Sequence, residues 1–377
     1  MQKNNKYRIC IFSPLKNAYS ETFIKNHLEL LPFECFVING QELFDLSFND
    51  SFIYKKSLFK RVFFNRLFDS SKLAEAQLKE KIKGLKPDLV LFEYGHIGAQ
   101  FFHLCDELNI PFVVHFHGND ASHKPTLDIL KIQYKKMFVS AAMIVAVSYS
   151  MIDRLIILGA KKEKLRYIPY GADTNLFSIK KSSSNCNKKK LISVGRFVEK
   201  KAPFITILAY NNIAKKFPNS ELVFIGEGQL LSACKQLVKA LNLSNQVQFL
   251  GVLAPEEIAD MLRQSYIYVQ HSVIDEDGGA EGAPNSIIEA SASGIPVVST
   301  FHEGIPDIVE NGVTGILVNE FDVQAMSMAI EKFLKNSDYR DEMAIAARKR
   351  IEINFNLQKQ IDMLANLMIE IMCNNEK

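Results

Sequence analysis

The sequence has no C-x-x-C pair and no cysteine spaced against a histidine. Cys10, Cys35, Cys105, Cys186, Cys234 and Cys373 lie scattered singly, which excludes a zinc ribbon and a disulfide framework and suits a reducing cytosol. No apolar run reaches the ~18 residues of a membrane-spanning helix. The longest candidate, Met137–Val147, is broken by Ser140 and reads as a buried element. The leading MQKNNKYRICIFSP carries bases, but its apolar stretch is too short for a secretory core. The P-loop pattern and H-E-x-x-H are absent, and Gly226-Glu227-Gly228-Gln229 lacks the third glycine of a dinucleotide fingerprint. There is no short repeat. The expected location is cytoplasmic, with contact to the inner face of the membrane left open.

What is present fits an ordinary globular protein. The 377 residues are 47% hydrophobic and 23% charged, enough for two domains with sizeable cores. The net charge of +3 is unevenly spread: residues 1–180 hold 25 Lys and Arg against 18 Asp and Glu, and the remainder 20 against 24. Such a split points to an anionic surface met by the front half and argues against a nucleic-acid binder. Strand-like runs at Tyr7–Phe12, Asp88–Phe92, Phe112–Phe116 and Met143–Val147 alternate with helical patterns such as Glu21–Leu31 and Leu73–Ile82. The alternation restarts at Lys190–Val194 and continues through Glu221–Ile225, Val247–Leu250, Tyr266–Gln270, Pro296–Ser299 and Gly315–Val318. This is an α/β pattern of parallel sheets covered on both faces. It predicts a first domain over 1–177, a polar linker SIKKSSSNCNKKK over 178–190 and a second domain over 191–356.

Three segments carry chemistry. In GAEGAPNSIIEASASG, Gly279–Gly294, Glu281 and Glu289 flank a turn and the start of a helix that Asn285 or Ser286 can cap, and its free N–H groups suit a phosphate. Taken alone, this spacing reads rather as solvated glutamates on a capped surface helix, the blander reading being preferred. In LISVGRFVEKKAP, Leu191–Pro203, a strand runs into a loop with Arg196, Lys200 and Lys201. That is a fork and movable point charges suited to a diphosphate, or else a solvated basic loop. In PFVVHFHGNDAS a strand ends with His115 and His117 on one side, either facing a ligand or packed one below the other.

Together these segments resemble retaining glycosyltransferases of family 4, whose GT-B fold has two Rossmann-like domains facing a central cleft. The resemblance is strongest from Leu191 to Asp322, through Gly195-Arg196 with Lys201, VFIGEG, QFLGVLAPEEI, the E-x7-E segment and GIPVVSTFHEGIPDIVENGVTGILV. It implies that Gly195, Arg196 and Lys201 hold the donor diphosphate, Glu281 the donor sugar and Glu289 the ribose. Gly282, Ala283, Pro284, Asn285, Ser286 and Ile287 would complete the phosphate site, and Val252 and Leu253 would lie near the base. It places His117, more than His115, near the reacting sugar. It also implies a C-terminal stretch, 357–377, crossing back onto the first domain. Ser148 and the YIPYGADTNLF segment look architectural.

The loop after the first strand departs from the broad family, having SPLKNAYSETFI in place of a Gly-Gly turn. It resembles a subgroup of bacterial surface-polysaccharide transferases. The acceptor-side candidates are Ser20, Glu21, Thr22, Glu93 and His115. The acidic lead Asp275–Ala280 either touches sugar hydroxyls or is a solvated loop, the blander reading being preferred.

The expected reaction moves a hexose from a UDP- or GDP-sugar to a saccharide acceptor, lipid-linked by resemblance, with no metal or other cofactor. A GT-B nucleotide-sugar epimerase and a catalytically silent GT-B partner subunit are the alternatives. Finally, Ser51–Lys72 interleaves six bases and one acid with five phenylalanines. It reads either as an amphipathic helix on an anionic membrane or as a domain helix with its Phe stripe inward.

Overall fold

The structure is a computed structural model of the chain. It describes residues 7–14, 22–49, 51–53, 70–179 and 188–375. The chain divides into two compact units: Met1–Val147 with Met151–Ile168 and Ile361–Lys377, and Ser148–Ser150 with Pro169–Gln360.

The sheet of the first unit has strands β1 (Arg8–Ser13), β2 (Glu34–Asn39), β3 (Ser47–Phe48), β4 (Ser51–Phe52), β5 (Leu89–Glu93), β6 (Phe112–Phe116), β7 (Met143–Ala146) and β8 (Leu165–Tyr167). Their order is β4-β3-β2-β1-β5-β6-β7-β8. The strands from β2 to β8 in that order pair in parallel, and β3 and β4 add an antiparallel edge. β5 and β6 are buried along their whole length, as expected of apolar strands with helices on both faces. The helices are α1 (Thr22–Leu30), α2 (Ser70–Leu85), α3 (Gly95–Leu108), α4 (Asn119–Ser122), α5 (Lys124–Ser140) and α6 (Tyr149–Ile157). α2 shows how the pattern works: Ala74, Leu78, Ile82 and Leu85 form one buried stripe while the charged residues between them stay out.

The second unit has one parallel sheet of β9 (Lys189–Val194), β10 (Ser220–Ile225), β11 (Val247–Phe249), β12 (Ile267–Val269), β13 (Val297–Thr300) and β14 (Gly315–Val318), in the order β11-β10-β9-β12-β13-β14. Around it lie α7 (Pro203–Ala214), α8 (Leu231–Ala240), α9 (Pro255–Arg263), α10 (Asn285–Ala292), α11 (Ile305–Ile308), α12 (Val323–Lys335) and α13 (Ser337–Asn354). Leu191, Tyr210, Leu222, Phe224, Ile267, Ile330 and Phe333 form its core. The last helix, α14 (Leu357–Asn375), buries Ile361, Leu364, Met368 and Met372. The strand order reverses beside β1 in the first unit and beside β9 in the second, and open α/β sheets bind ligands at the carboxyl ends of such strands.

The structure differs from the sequence expectations at several points. β2, which lies between β3 and β1, and the edge strand β8 are not among the strands expected from the sequence. Ser51–Phe52 pairs with Ser47–Phe48 as β4, so no helix begins at Ser51; α2 begins at Ser70. Most of the basic, Phe-rich segment, 54–69, and the acceptor-side candidates Ser20 and Glu21 lie outside the described residues. The units divide before Pro169 rather than after Phe177. The Ala172 N–H bonds the Phe355 carbonyl at 2.9 Å, the Leu357 N–H bonds the Ala172 carbonyl at 3.0 Å, and the Arg348 guanidinium donates to the carbonyls of Thr174 and Phe177. These bonds hold the segment to the second unit. Of the linker expected over 178–190, residues 180–187 are outside the description and Lys189 already opens β9.

Candidate functional site

In the second unit β9 ends at Val194 and passes into Gly195 and Arg196, then a 3-10 turn, Glu199–Lys201. This loop is held by the loop after β10. Phe197 N–H bonds the Glu227 carbonyl at 2.9 Å and Leu230 N–H bonds the Phe197 carbonyl at 2.9 Å. Gly226 has φ +129°, and a Cβ there would collide with the Gly195 carbonyl oxygen. The paired glycines of VFIGEG therefore serve close backbone approach.

Lys201 Nζ stands 2.9 Å from Glu281 Oε2, and Lys200 Nζ stands 3.5 Å from Glu281 Oε1. Burial would raise the Glu281 carboxyl, but the two ammonium groups outweigh it and hold it well below the usual carboxylate range. Burial, with Lys200 and Arg196 nearby, lowers Lys201, and Glu281 opposes that shift. The Glu281 N–H bonds His302 Nε2 at 3.0 Å, and His302 Nδ1 meets Glu320 Oε1 at 2.6 Å. An accepting Nε2 places the imidazole proton on Nδ1, so Glu320 fixes the tautomer. Gly304 allows this loop to press on the Gly282 carbonyl, where any Cβ would clash.

Glu281 is followed within four residues by α10. Neither Asn285 nor Ser286 caps this helix: Pro284 is its N-cap residue and no side chain bonds the first turn. Ser286 Oγ is instead 2.8 Å from the Tyr268 hydroxyl, which also meets Gln270 Oε1 at 2.8 Å. The Ile287 and Ile288 N–H groups already bond the Pro284 carbonyl, at 3.0 and 3.4 Å, so Asn285 and Ser286 carry the N–H groups left at the positive end of the helix dipole, and the Ile287 N–H expected at a phosphate is taken. One turn on, Glu289 has its carboxyl pushed up to about 7 by burial. Arg196 is exposed, as is Val252, with Leu253 half-buried beyond β11. The Gly226 N–H bonds the Gly251 carbonyl at 2.7 Å, so the β10 and β11 loops meet. Asp275 is spent on its own turn, accepting the Gly279 N–H at 2.6 Å, while Glu276 and Asp277 are exposed.

In the first unit a second buried carboxylate sits at the end of β5. Glu93 Oε1 is 2.7 Å from His27 Nδ1, and Oε2 is 2.8 Å from His117 Nε2 and 3.7 Å from His115 Nδ1. Burial would raise Glu93, but His27 and His117 hold it well below the carboxylate range. His115 is driven well below the ordinary imidazole value by burial and by His117. The His115 and His117 rings lie 4.3 Å apart, and Phe23 and Tyr94 each stand 4.5 Å from His117. Asp120 pins the turn after β6: its carboxylate accepts the N–H groups of His117 at 3.0 Å, Gly118 at 2.9 Å and Gly95 at 2.8 Å. Thr22 opens α1, whose buried face brings Phe23 and His27 to Glu93.

His27, Glu93 and His115 offer ligand atoms within 4.8 Å of one another. Donors around a tetrahedral zinc sit ~2.0–2.2 Å from the ion and therefore roughly 3.3 Å apart. Within that trio His27 Nδ1 stands at a hydrogen-bond length, 2.7 Å, from Glu93 Oε1, and His115 Nδ1 stands 3.7 Å from Glu93 Oε2; the other close contact to Glu93 is from His117, outside the trio. As built, the cluster is a carboxylate shared by two imidazoles.

Comparisons with known proteins place this geometry in a family. The description "Glycosyltransferase Family 4" matches residues 49–176, and "Glycosyl transferases group 1" matches 175–350. The amylovoran biosynthesis glycosyltransferase AmsK of Erwinia amylovora is 29% identical over 289 residues, 76% of this chain and 71% of the relative. The chain belongs to glycosyltransferase family 4. WcaL of Escherichia coli (strain K12), named as a colanic acid biosynthesis glycosyltransferase, is 30% identical over 254 residues, 67% of this chain and 63% of the relative. Among solved structures, Anabaena HepE in complex with UDP and glucose superposes with a TM-score of 0.75 at 17% identity, covering 97% of this chain and 100% of that one. That likeness shows the GT-B fold.

In this family 4 glycosyltransferase, the residues read from the sequence fall into two groups by unit. Lys201, Glu281 and the start of α10 come together in the second, and Glu93, His115 and His117 in the first. Several residues of these clusters were not anticipated. His27 shows in the sequence only as a polar residue on the apolar face of α1, four residues after Phe23. His302, Glu320, Tyr268 and Gln270 act behind Glu281 and Ser286, and nothing local in the sequence marks them.

Proposed function

We propose that this glycosyltransferase moves a hexose from a UDP- or GDP-sugar to a saccharide acceptor with retention of configuration, the acceptor being lipid-linked and the product part of a bacterial surface polysaccharide. The polysaccharide context is drawn from the names of AmsK and WcaL. The observation that carries the donor reading is the buried Lys201–Glu281 pair set at the uncapped start of α10.

Departure of a nucleoside diphosphate builds negative charge. Lys201, Arg196 and the N–H groups at Asn285 and Ser286 are positioned to meet it without reorganisation. Glu281, kept ionised, accepts hydrogen bonds from sugar hydroxyls. Its ion pair with Lys201 also links the sugar contact to the phosphate contact. Glu289 accepts from the ribose, and Gly195 gives the backbone approach to the phosphates. No carboxylate in the motifs is placed as a nucleophile, so the acceptor attacks from the face the diphosphate leaves. His117 orients the sugar, and its Nε2 is held by Glu93. The charge compensation comes from side chains and backbone, so transfer proceeds without a metal and survives chelation with EDTA.

A panel of UDP- and GDP-sugars, with product anomers assigned by NMR coupling constants, tests donor and stereochemistry together. Arg196 is exposed, so Arg196→Ala keeps the fold and is expected to lose nearly all transfer. Wild-type turnover in that variant would defeat the assignment.

A further inference from the structure

The most exposed large apolar side chains are not spread evenly. Among the described residues, four of the five most exposed lie on α5 and the end of α6: Ile157 at 85%, Ile129 at 76%, Val139 at 71% and Ile132 at 67%. Single exposed apolar residues are ordinary on a soluble surface. On α5 the positions 129, 132, 136 and 139 follow the i, i+3, i+7, i+10 rhythm of one helix stripe. That stripe is Ile, Ile, Lys, Val, while Tyr134, Met137 and Phe138 are buried on the opposite side. Lys124, Lys131 and Lys135 run beside the stripe and, like Lys136, are exposed.

The end of α6 continues this face. A Cβ at Gly159 would lie 3.6 Å from the Lys135 side chain, and Lys164 Nζ donates to the carbonyls of Val139 at 2.5 Å and Ala141 at 2.7 Å. Across α5, α6 and the turn that follows α6 the exposed groups include six lysines, Lys124, Lys131, Lys135, Lys136, Lys161 and Lys162, against three acids, Asp128, Asp153 and Glu163. Isoleucine and valine standing out between lysines is a poor arrangement for water alone. It matches an anionic bilayer surface, where the apolar tips enter the headgroup boundary and the ammonium groups meet lipid phosphates.

We propose that α5 and the α6 terminus form a membrane-docking face for anionic lipid, distinct from the segment 54–69. It fits a lipid-borne acceptor but rests on no step of the donor chemistry. None of its residues belongs to the Glu93 or Glu281 clusters.

The test is co-sedimentation of the full chain with vesicles of phosphatidylcholine alone and with added phosphatidylglycerol, at low and at 0.5 M salt. Wild type is expected to bind anionic vesicles only, with salt weakening binding. The pair Ile132→Asp/Ile157→Asp and the charge variant Lys131→Glu/Lys135→Glu/Lys136→Glu should each lower partitioning about tenfold or more. Turnover on a water-soluble acceptor should stay at the wild-type level in both, which separates this proposal from the donor reading. If the first pair compromises folding, the charge variant, altered only at exposed lysines, decides. Equal binding to neutral vesicles, or wild-type binding by the folded variants, overturns the proposal. So does loss of a dimer in gel filtration with vesicle binding unchanged, which would make the face a contact between two copies.

Discussion

The two units solve the same problem with different chemistry. Each buries a glutamate at the carboxyl edge of its sheet and keeps it ionised against the pull of burial. Around Glu93 the partners are imidazoles, packed among Phe23 and Tyr94. Around Glu281 they are ammonium groups, beside a helix start that adds its own positive end. An imidazole can donate an N–H whether or not it is charged, so the first arrangement fixes geometry. An ammonium acts as a movable point charge, so the second stores positive potential, which is what the proposed diphosphate role would draw on. One cluster is built to hold shape and the other to hold charge.

This contrast can be broken in order of expected effect. Glu281→Gln should lower transfer by roughly 100- to 1000-fold, the scale seen when a preorganised polar contact to a transition state is removed. Glu93→Gln should cost less in turnover, and equal losses in both variants would erase the distinction. On stability the order reverses in kind. Glu93→Ala strands two buried imidazoles and should cost about 3–5 kcal/mol in urea unfolding. An unchanged midpoint would mean the cluster does not hold the unit together.

The acid limb of stability follows from both carboxylates. Each has its folded pKa below the ordinary 4.5, so its contribution is full above that value and is lost as pH falls further. The Gln variants should therefore flatten the melting-temperature decline below pH 4.5. Glu289 has the opposite sign. Its carboxyl, raised to about 7 from 4.5, adds a penalty that grows across that interval and is complete above it. Glu289→Gln should be stabilised relative to wild type at pH 8 and little changed at pH 4.5. The same difference at both values would remove burial as the cause.

Much of the fold was legible because a buried parallel strand announces itself locally. Phe112–Val114 and Leu89–Phe92 are apolar runs with turn signals soon after them, and their helices show regular stripes. β2 and β8 are harder to read because both are only partly buried, and β8 is also a three-residue edge strand. At the site, the residue types were readable and their pairings were not. Lys201 and Glu281 are eighty positions apart, as are Lys200 and the Ala280 carbonyl. Glu93 was named without its partner His27, sixty-six residues away. No local period encodes such a distance. The expected capping of α10 does not occur because the helix already begins at Asn285, which puts Asn285 and Ser286 inside its first turn and Pro284, with no acceptor in its side chain, at the N-cap position; the Ser286 hydroxyl meets Tyr268 instead. His302 was invisible because it acts through the backbone of Glu281 rather than through a motif of its own.

The final helix bears on how the protein is made. Its buried residues Ile361, Leu364, Met368 and Met372 belong to the unit that begins at the amino terminus, and the Tyr7 hydroxyl lies 3.5 Å from Cys373 Sγ. Synthesis runs from the amino terminus and domains ordinarily fold in that order. Here the ribosome must finish the later unit before the earlier one receives its last piece. During translation the front unit waits for the helix that completes its core, and a nascent chain stalled before residue 361 would be the form most in need of a chaperone.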